Sequence, residues 1–152
     1  MRKKNILNPE AVNLFLQRLQ LLQPDTPPRW GKMNATEMLL HCNSIHERLL
    51  TPATDSGKKT SFKQHIIRWV VLYIMPNYPK NAQAPKPLQV SGKIEVTEFE
   101  NQKEKFVQLL NRFASNNQQI SHYHPYFGKL STKEWGLTSW KHLDHHFRQF
   151  GL

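Results

Sequence analysis

Residues 131–151 read STKEWGLTSWKHLDHHFRQFG, and this stretch decides the fold class. Ser131 and Glu134 form the pattern of a capping box, and Gly151 is typical of the position just beyond a helix. On a wheel of about 100° per residue, the large apolar side chains share one sector of about 80°. They are Trp140, Leu143, Phe147 and Phe150. The stretch therefore predicts one long amphipathic helix that runs to Phe150 and buries this face.

Four further segments show helical periodicity between proline-rich connections, at about residues 9–22, 34–50, 61–75 and 97–114. Asn8-Pro9 marks the start of the first, and a capping-box pattern from Asn34 to Glu37 opens the second. The third is apolar almost all round in its second half. This pattern predicts a helix buried between neighbours, with a strand as the alternative.

A proline-rich connection, residues 77–96, separates the third and fourth segments. Its end alternates apolar and other residues with a period of two, at Leu88, Val90, Gly92, Ile94 and Val96. Because no second alternating run offers a partner, we expect an extended strap over the helices rather than a sheet. Five amphipathic helices with one long crossover predict an all-α helix bundle.

Length and composition limit the classes of protein. A chain of 152 residues and 17.9 kDa is expected to bury about 69% of its surface, enough for one core, so we expect a single domain over residues 1–152. One cysteine excludes a disulfide framework or a cysteine-based zinc finger. No apolar run reaches the ~20 residues needed to span a bilayer, and no signal-peptide core follows the basic N-terminus. We therefore expect a cytoplasmic protein without a membrane partner.

The net charge of +10 favours anionic partners or substrates. The basic residues are spread over several segments, such as Arg2-Lys3-Lys4 and Lys58-Lys59, and no nucleic-acid recognition motif accompanies them. We therefore expect no specific nucleic-acid partner. A helical interaction module without chemistry is a further alternative, and apolar surface on the third helix would allow a homodimer.

Histidines are the candidate functional residues. His142 and His146 are one helical turn apart at the margin of the apolar sector, with Cβ atoms about 6 Å apart, so they can chelate one ion. His145 points further toward solvent on the wheel. On the second helix His41 and His46 flank the apolar stripe on opposite sides, and geometry does not choose between them as a third ligand. The alternative is that one histidine of the pair is a core residue and the other a surface residue.

Two groups of residues resemble a known family. They are Pro28-Arg-Trp-Gly-Lys-Met33 leading to His41, and His124-Pro-Tyr-Phe-Gly128 leading to the block His142-Leu-Asp-His-His146-Phe-Arg-Gln-Phe-Gly151. They resemble the DinB/YfiT-like superfamily, and most closely its small branch of uncharacterised bacterial proteins. The resemblance implies a four-helix bundle, here with a long crossover and an extra helix, and a metal bound by His41, His142 and His146. In the usual motif Arg directly follows the paired histidines, whereas here Phe147 intervenes and Arg148 is shifted by one.

Three neutral imidazoles would leave coordination positions open, as in catalytic rather than structural sites. Imidazole ligands suit several divalent metals, and we expect Zn or Ni. Such an ion can lower the pKa of water toward about 7 or bind a thiol as thiolate. The resemblance implies a metal-dependent thiol S-transferase or hydrolase with a small-molecule substrate, such as a low-molecular-weight thiol.

Other candidates have two interpretations each. His122 and His124 would line the mouth of the site or only pack in a loop, and Glu37 would orient His41 or only cap its helix. Cys42 projects into the apolar stripe, so we expect core packing rather than a nucleophile. Asp144 lies far from the histidine pair, so we expect it to be solvated. Three aromatic residues would wall a pocket or only pack: Trp30, Phe127 and Trp135.

Overall fold

The computed structural model describes residues 4–53, 57–80, 90, 92–115 and 118–152. Within these ranges the chain is mostly helical, as predicted, with five α-helices and two short strands. The helices are α1 (Pro9–Gln20), α2 (Ala35–Leu49), α3 (Phe62–Trp69), α4 (Phe99–Ala114) and α5 (Thr132–Gln149). A π-helix (Val70–Ile74) continues α3, and a 3-10 helix (Val96–Glu98) leads into α4. The strands β1 (Tyr123–His124) and β2 (Gly128–Lys129) form an antiparallel hairpin, which the sequence analysis did not predict.

Side-chain caps fix where the helices begin. The Asn8 side chain accepts from the backbone N–H of Glu10. Asn34 and Glu37 satisfy each other's backbone N–H groups at 2.8 Å, which is a complete capping box at the start of α2. Ser131 and Glu134 do the same for α5. The predicted starts of α1, α2 and α5 are thereby confirmed.

The core lies between α1, α2, α4 and α5. α2 packs along α4, α1 packs against α4 and α5, and α2 also contacts α5. The ring of Phe147 lies 5.4 Å from that of Phe15 and 5.8 Å from that of Phe106, measured between centroids. Leu143 and Phe147 are fully buried, so the apolar face predicted for α5 is confirmed. Each fully buried Phe contributes about 1.5–3 kcal/mol, which makes this aromatic contact a main source of stability.

The prediction of a third helix buried between neighbours was wrong. No residue of α3 is fully buried, and in the π-helix only Leu72 is. The helix lies on the surface because only its inner side, with Ile67, Val71 and Leu72, reaches the core. The ammonium group of Lys141 caps the C-terminal end of the π-helix by donating to the carbonyls of Val71 and Met75.

The connection between α3 and α4 is described only in part. Leu88 of the alternating run lies outside the described residues, as do Arg2 and Lys3 of the N-terminal basic stretch. Val90 is buried, and the N–H of Gly92 donates to Glu37 Oε1. Val96, the last residue of the predicted alternating run, lies in the 3-10 helix. The described residues of the connection form no strand. No helix within the described ranges combines the length and the hydropathy that crossing a membrane requires.

Candidate metal centre

Three histidine side chains converge between α2 and α5. His41 lies on α2, and His142 and His146 lie one turn apart on α5. The Nε2 atom of His142 is 3.0 Å from Nε2 of His41 and 3.1 Å from Nε2 of His146. One ligand atom from each ring lies within 4.8 Å of the other two. The helix packing thus brings together the three residues named by the resemblance.

Gln149 orients one of these rings. Its Nε2 donates to the carbonyl of Trp30 at 2.8 Å, and its Oε1 is 2.8 Å from Nδ1 of His146. Because a carbonyl only accepts, Trp30 fixes the direction of the amide, and Nδ1 of His146 must carry the hydrogen. The Nε2 atom of His146 then has a free lone pair directed at the cluster. This is the tautomer that a metal ligand needs.

The segment before α2 is shaped to hold Gln149. The backbone N–H of Arg29 donates to the Gln149 carbonyl at 2.6 Å. Gly31 has φ +81°, and a Cβ atom there would lie 2.5 Å from Nε2 of Gln149. A larger residue at position 31 would therefore strain the backbone and displace the amide that orients His146. This close approach accounts for the glycine of the Pro-Arg-Trp-Gly segment.

Burial keeps the two histidines of α5 neutral. Burial lowers the pKa of His142 well below its ordinary value, and the neighbouring histidines add to the shift, His146 most. Burial likewise lowers the pKa of His146 to about 3, and the charge of His41 adds to the effect. Both rings are therefore unprotonated near neutral pH, which is the state in which imidazole binds a metal.

His46 does not join the cluster. Its ring is fully buried, with centroids 5.2 Å from Phe113 and 6.4 Å from Phe106. Burial lowers its pKa to about 3, with a smaller contribution from His41. Neither ring nitrogen has a hydrogen-bond partner among the described residues. The structure thus places His46 in the aromatic core and His41 at the cluster, a choice that the helical wheel left open.

The expectation that His145 points toward solvent was wrong. His145 and its neighbour Lys141 are both buried, at 8% and 7% exposure. The His145 ring lies 5.7 Å from that of Trp30 and 6.3 Å from that of Tyr78. Burial lowers its pKa, and Arg148 contributes to the shift. Segments outside α5 cover this side of the helix, which a wheel of α5 alone does not show.

Four other candidates have structural roles. His122 Nε2 lies 2.8 Å from the carbonyl of Thr51, and His124 stacks on Phe127 at 4.1 Å. The Nδ1 of His124 accepts from the N–H groups of Tyr126 and Phe127, so His124 shapes the hairpin. Cys42 is fully buried beside Met38, and burial raises its pKa, as expected for core packing. Both carboxylate oxygens of Glu37 accept from backbone N–H groups, which favours the capping interpretation.

Asp144 and Arg148 of α5 belong to an ion-pair group and not to the histidine cluster. Asp144 contacts Arg18 at 2.9 Å and Arg148 at 2.8 Å. The expectation that Asp144 is solvated was therefore wrong, because Arg18 reaches it from α1. Arg148 follows Asp144 by four residues on α5, which places its guanidinium on this ion pair.

Gln149 has no role in the sequence-based predictions, and Trp30 has two interpretations there. Gln149 follows His146 by three residues, a spacing that places two side chains on one helix face, and this signal was available. The contact to the Trp30 carbonyl spans the chain from residue 30 to residue 149 and leaves no local signal. Trp135 and Phe127 pack around His124, which favours packing over a pocket wall for these two.

The three ligand atoms could hold a metal ion. With Zn–N bonds of about 2.1 Å, neighbouring ligand nitrogens lie about 3.0 Å apart in octahedral and about 3.4 Å apart in tetrahedral coordination. Two of the three separations, 3.0 and 3.1 Å between Nε2 atoms, fall at the short end of this range, and all three ligand atoms lie within 4.8 Å of one another. Neutral imidazoles oriented by a hydrogen bond to the other ring nitrogen are the usual form of such ligands.

The fold and the cluster together define the class of protein. It is mostly helical, and its group of three histidines could hold a metal ion. More specifically, the chain belongs to the family described as "Protein of unknown function (DUF1569)", whose model matches residues 1–151. Comparison with curated proteins and with solved structures gave no match. The family match spans nearly the whole chain and by itself assigns neither a metal nor a reaction.

Proposed function

We propose that this protein is a metal-dependent enzyme of the DinB/YfiT-like kind, in which His41, His142 and His146 bind one divalent ion, Zn or Ni. The observation that carries the proposal is the approach of three imidazole Nε2 atoms from two helices, at 3.0 and 3.1 Å. The ligands come from α2 and α5, which are far apart in sequence. The site therefore forms only in the folded protein.

The packing of the helices supports the bundle part of this proposal. α1 contacts α4, α4 contacts α2, α2 contacts α5, and α5 contacts α1, which closes a ring of four helices. α3 contacts β2 and the π-helix and lies outside that ring, as the extra helix of the proposal requires. A closed ring of four helices around a core is the arrangement of a four-helix bundle.

The proposed reaction class rests on the resemblance to the DinB/YfiT-like superfamily, and the ligand charges are compatible with it. Three neutral imidazoles leave the full charge of the ion in place, and a bound divalent ion supplies a Lewis acid that lowers the pKa of a coordinated water or thiol. The role of the chain is to bring the three rings together and, through Gln149, to orient that of His146. We propose a thiol S-transferase or hydrolase acting on a small anionic substrate, such as a low-molecular-weight thiol, which the net charge of +10 would attract.

Elemental analysis of untagged protein tests the metal site. We expect one divalent ion per chain after reconstitution with Zn²⁺ or Ni²⁺, and its loss in His41→Ala, His142→Ala and His146→Ala. His46→Ala and the exposed His65→Ala on α3 serve as controls and should retain the ion. Equal loss in all five variants, or no stoichiometric metal in the wild type, would refute the assignment.

Activity is tested separately from metal content. The loaded wild type is screened with low-molecular-weight thiols and electrophilic or hydrolysable partners, with His142→Ala as the inactive control. Turnover that requires both the ion and His142 would support the enzyme. A fully loaded protein that turns over no member of either class would leave the metal centre in place and contradict the reaction class.

A further inference from the structure

An exposed apolar face runs along α3 and the π-helix. Phe62, Ile66, Trp69 and Tyr73 are spaced by four, three and four residues, which places them on one side of a helix. They are exposed by 80%, 49%, 58% and 45%, and Ile74 beside them by 56%. We call these five side chains the outer face. Single exposed apolar residues are common, whereas a continuous row of five on one element marks a surface that binds something.

The fold holds this segment firmly while leaving its outer face open. Ile67, Val71 and Leu72 on the inner side pack against the core. Lys141 donates to the carbonyls of Val71 and Met75, so the last turn has a partner for two of its acceptors. Arg68 donates to the carbonyl of Lys129 and lies 3.5 Å from Glu134, which attaches α3 to the start of α5. The outer face is therefore presented on a fixed element.

Positive charge predominates in the segment that carries the outer face. Residues 57–80 contain five Lys or Arg residues and no Asp or Glu. Lys58, Lys59 and Lys63 are exposed. Arg68 pairs with the carboxylate of Glu134, and the ammonium groups of Lys58 and Lys80 lie over the rings of Tyr123 and Trp30. An apolar row with aromatic residues and a basic border is typical of helices that lie in the interface of an anionic membrane.

The positive charge of this segment favours one of two possible binding partners for the outer face. In a symmetric dimer, the outer face of one copy would meet that of another, which would bring two sets of lysines together between chains that each carry +10. An anionic lipid surface instead provides the opposite charge for the lysines and an apolar layer for the aromatic side chains. We propose that α3 and the π-helix form an interfacial anchor that binds the surface of anionic bilayers. This differs from the expectation of no membrane partner, which rested on the absence of a spanning segment.

Vesicle co-sedimentation of the full chain tests the anchor. The two preparations are phosphatidylcholine alone and equal parts of phosphatidylcholine and phosphatidylglycerol. We expect binding to the mixed vesicles, at least about tenfold weaker binding to the neutral ones, and a further decline as salt is raised. The double variant Phe62→Glu with Trp69→Glu should lose binding by at least about tenfold. Leu21→Glu, at an equally exposed apolar position beyond α1, is the matched control and should bind like the wild type.

Lysine variants and a measurement of the oligomeric state complete the test of the anchor. Lys59→Gln with Lys63→Gln should weaken binding to the mixed vesicles several-fold and leave binding to the neutral vesicles unchanged. Circular dichroism and light scattering verify folding and mass for every variant. Equal binding to both vesicle types, or binding retained by the folded Phe62→Glu/Trp69→Glu variant, would overturn the proposal. So would a wild-type dimer that this variant converts to a monomer, which would assign the outer face to a second copy of the chain.

Discussion

Replacing Gln149 tests whether the cluster is built for a metal or is only a group of packed rings. Gln149→Leu removes the acceptor for the Nδ1–H of His146 while filling most of the space. A buried N–H without an acceptor costs about 1–3 kcal/mol, so the ligating tautomer of His146 loses about that much of its preference. Since about 1.4 kcal/mol corresponds to a factor of ten, we expect Zn²⁺ to bind about 10- to 100-fold more weakly.

Gln149→Glu is the matched variant, because a carboxylate still accepts from Nδ1 of His146 but cannot donate to the Trp30 carbonyl. Competition for Zn²⁺ against a chromophoric chelator near neutral pH gives the affinities, and thermal unfolding verifies the fold. We expect Gln149→Glu to bind Zn²⁺ more tightly than Gln149→Leu. Wild-type affinity in Gln149→Leu would refute the orienting role, and equal weakening in both variants would assign the effect to the Trp30 contact instead.

Two further predictions concern stability. His46 has its pKa lowered to about 3 in the folded protein, against about 6.5 in the unfolded chain. The unfolded state therefore binds more protons between these values, and His46 should reduce stability as pH falls from about 6.5 toward about 3, by up to about 1.4 kcal/mol per pH unit. Urea unfolding over a pH series should show a flatter profile for His46→Leu, and identical profiles would contradict this. Lys141→Met leaves the carbonyls of Val71 and Met75 unpaired, so we expect a loss of about 1–3 kcal/mol and faster amide exchange confined to residues 66–75. Unchanged exchange there would argue against the capping role.

Local chemistry made most of the helical framework predictable. A capping box depends on two side chains three residues apart, so the starts of α2 and α5 can be read from the sequence. The apolar face of α5 is likewise a property of one helix, and Leu143, Phe147 and Phe150 are buried where the wheel places them. The pair His142 and His146 follows from the same wheel, because both lie on the margin of that face.

The remaining features depend on contacts between segments far apart in sequence. A wheel gives directions around one axis and does not show what covers them, so His145 was expected in solvent although Trp30 and Tyr78 lie against it. His41 and His46 are equally placed beside the stripe of α2, and only the positions of α4 and α5 separate them: Phe106 and Phe113 enclose one, and His142 meets the other. The third helix was misjudged for a related reason, since an apolar sequence can serve an exposed surface as well as a core.

The two histidines of α5 are not equally prepared to bind an ion. With the hydrogen of His146 held on Nδ1 by Gln149, a hydrogen bond between the two Nε2 atoms, 3.1 Å apart, requires His142 to donate from Nε2. A ligand role requires the opposite, with the hydrogen of His142 on Nδ1, a buried atom without a hydrogen-bond partner among the described residues. That N–H would cost about 1–3 kcal/mol when ligation forces it into place. The affinity of the cluster should therefore depend on His146 and Gln149 to offset the cost at His142, which is why a residue that touches no ion is expected to decide how tightly one is held.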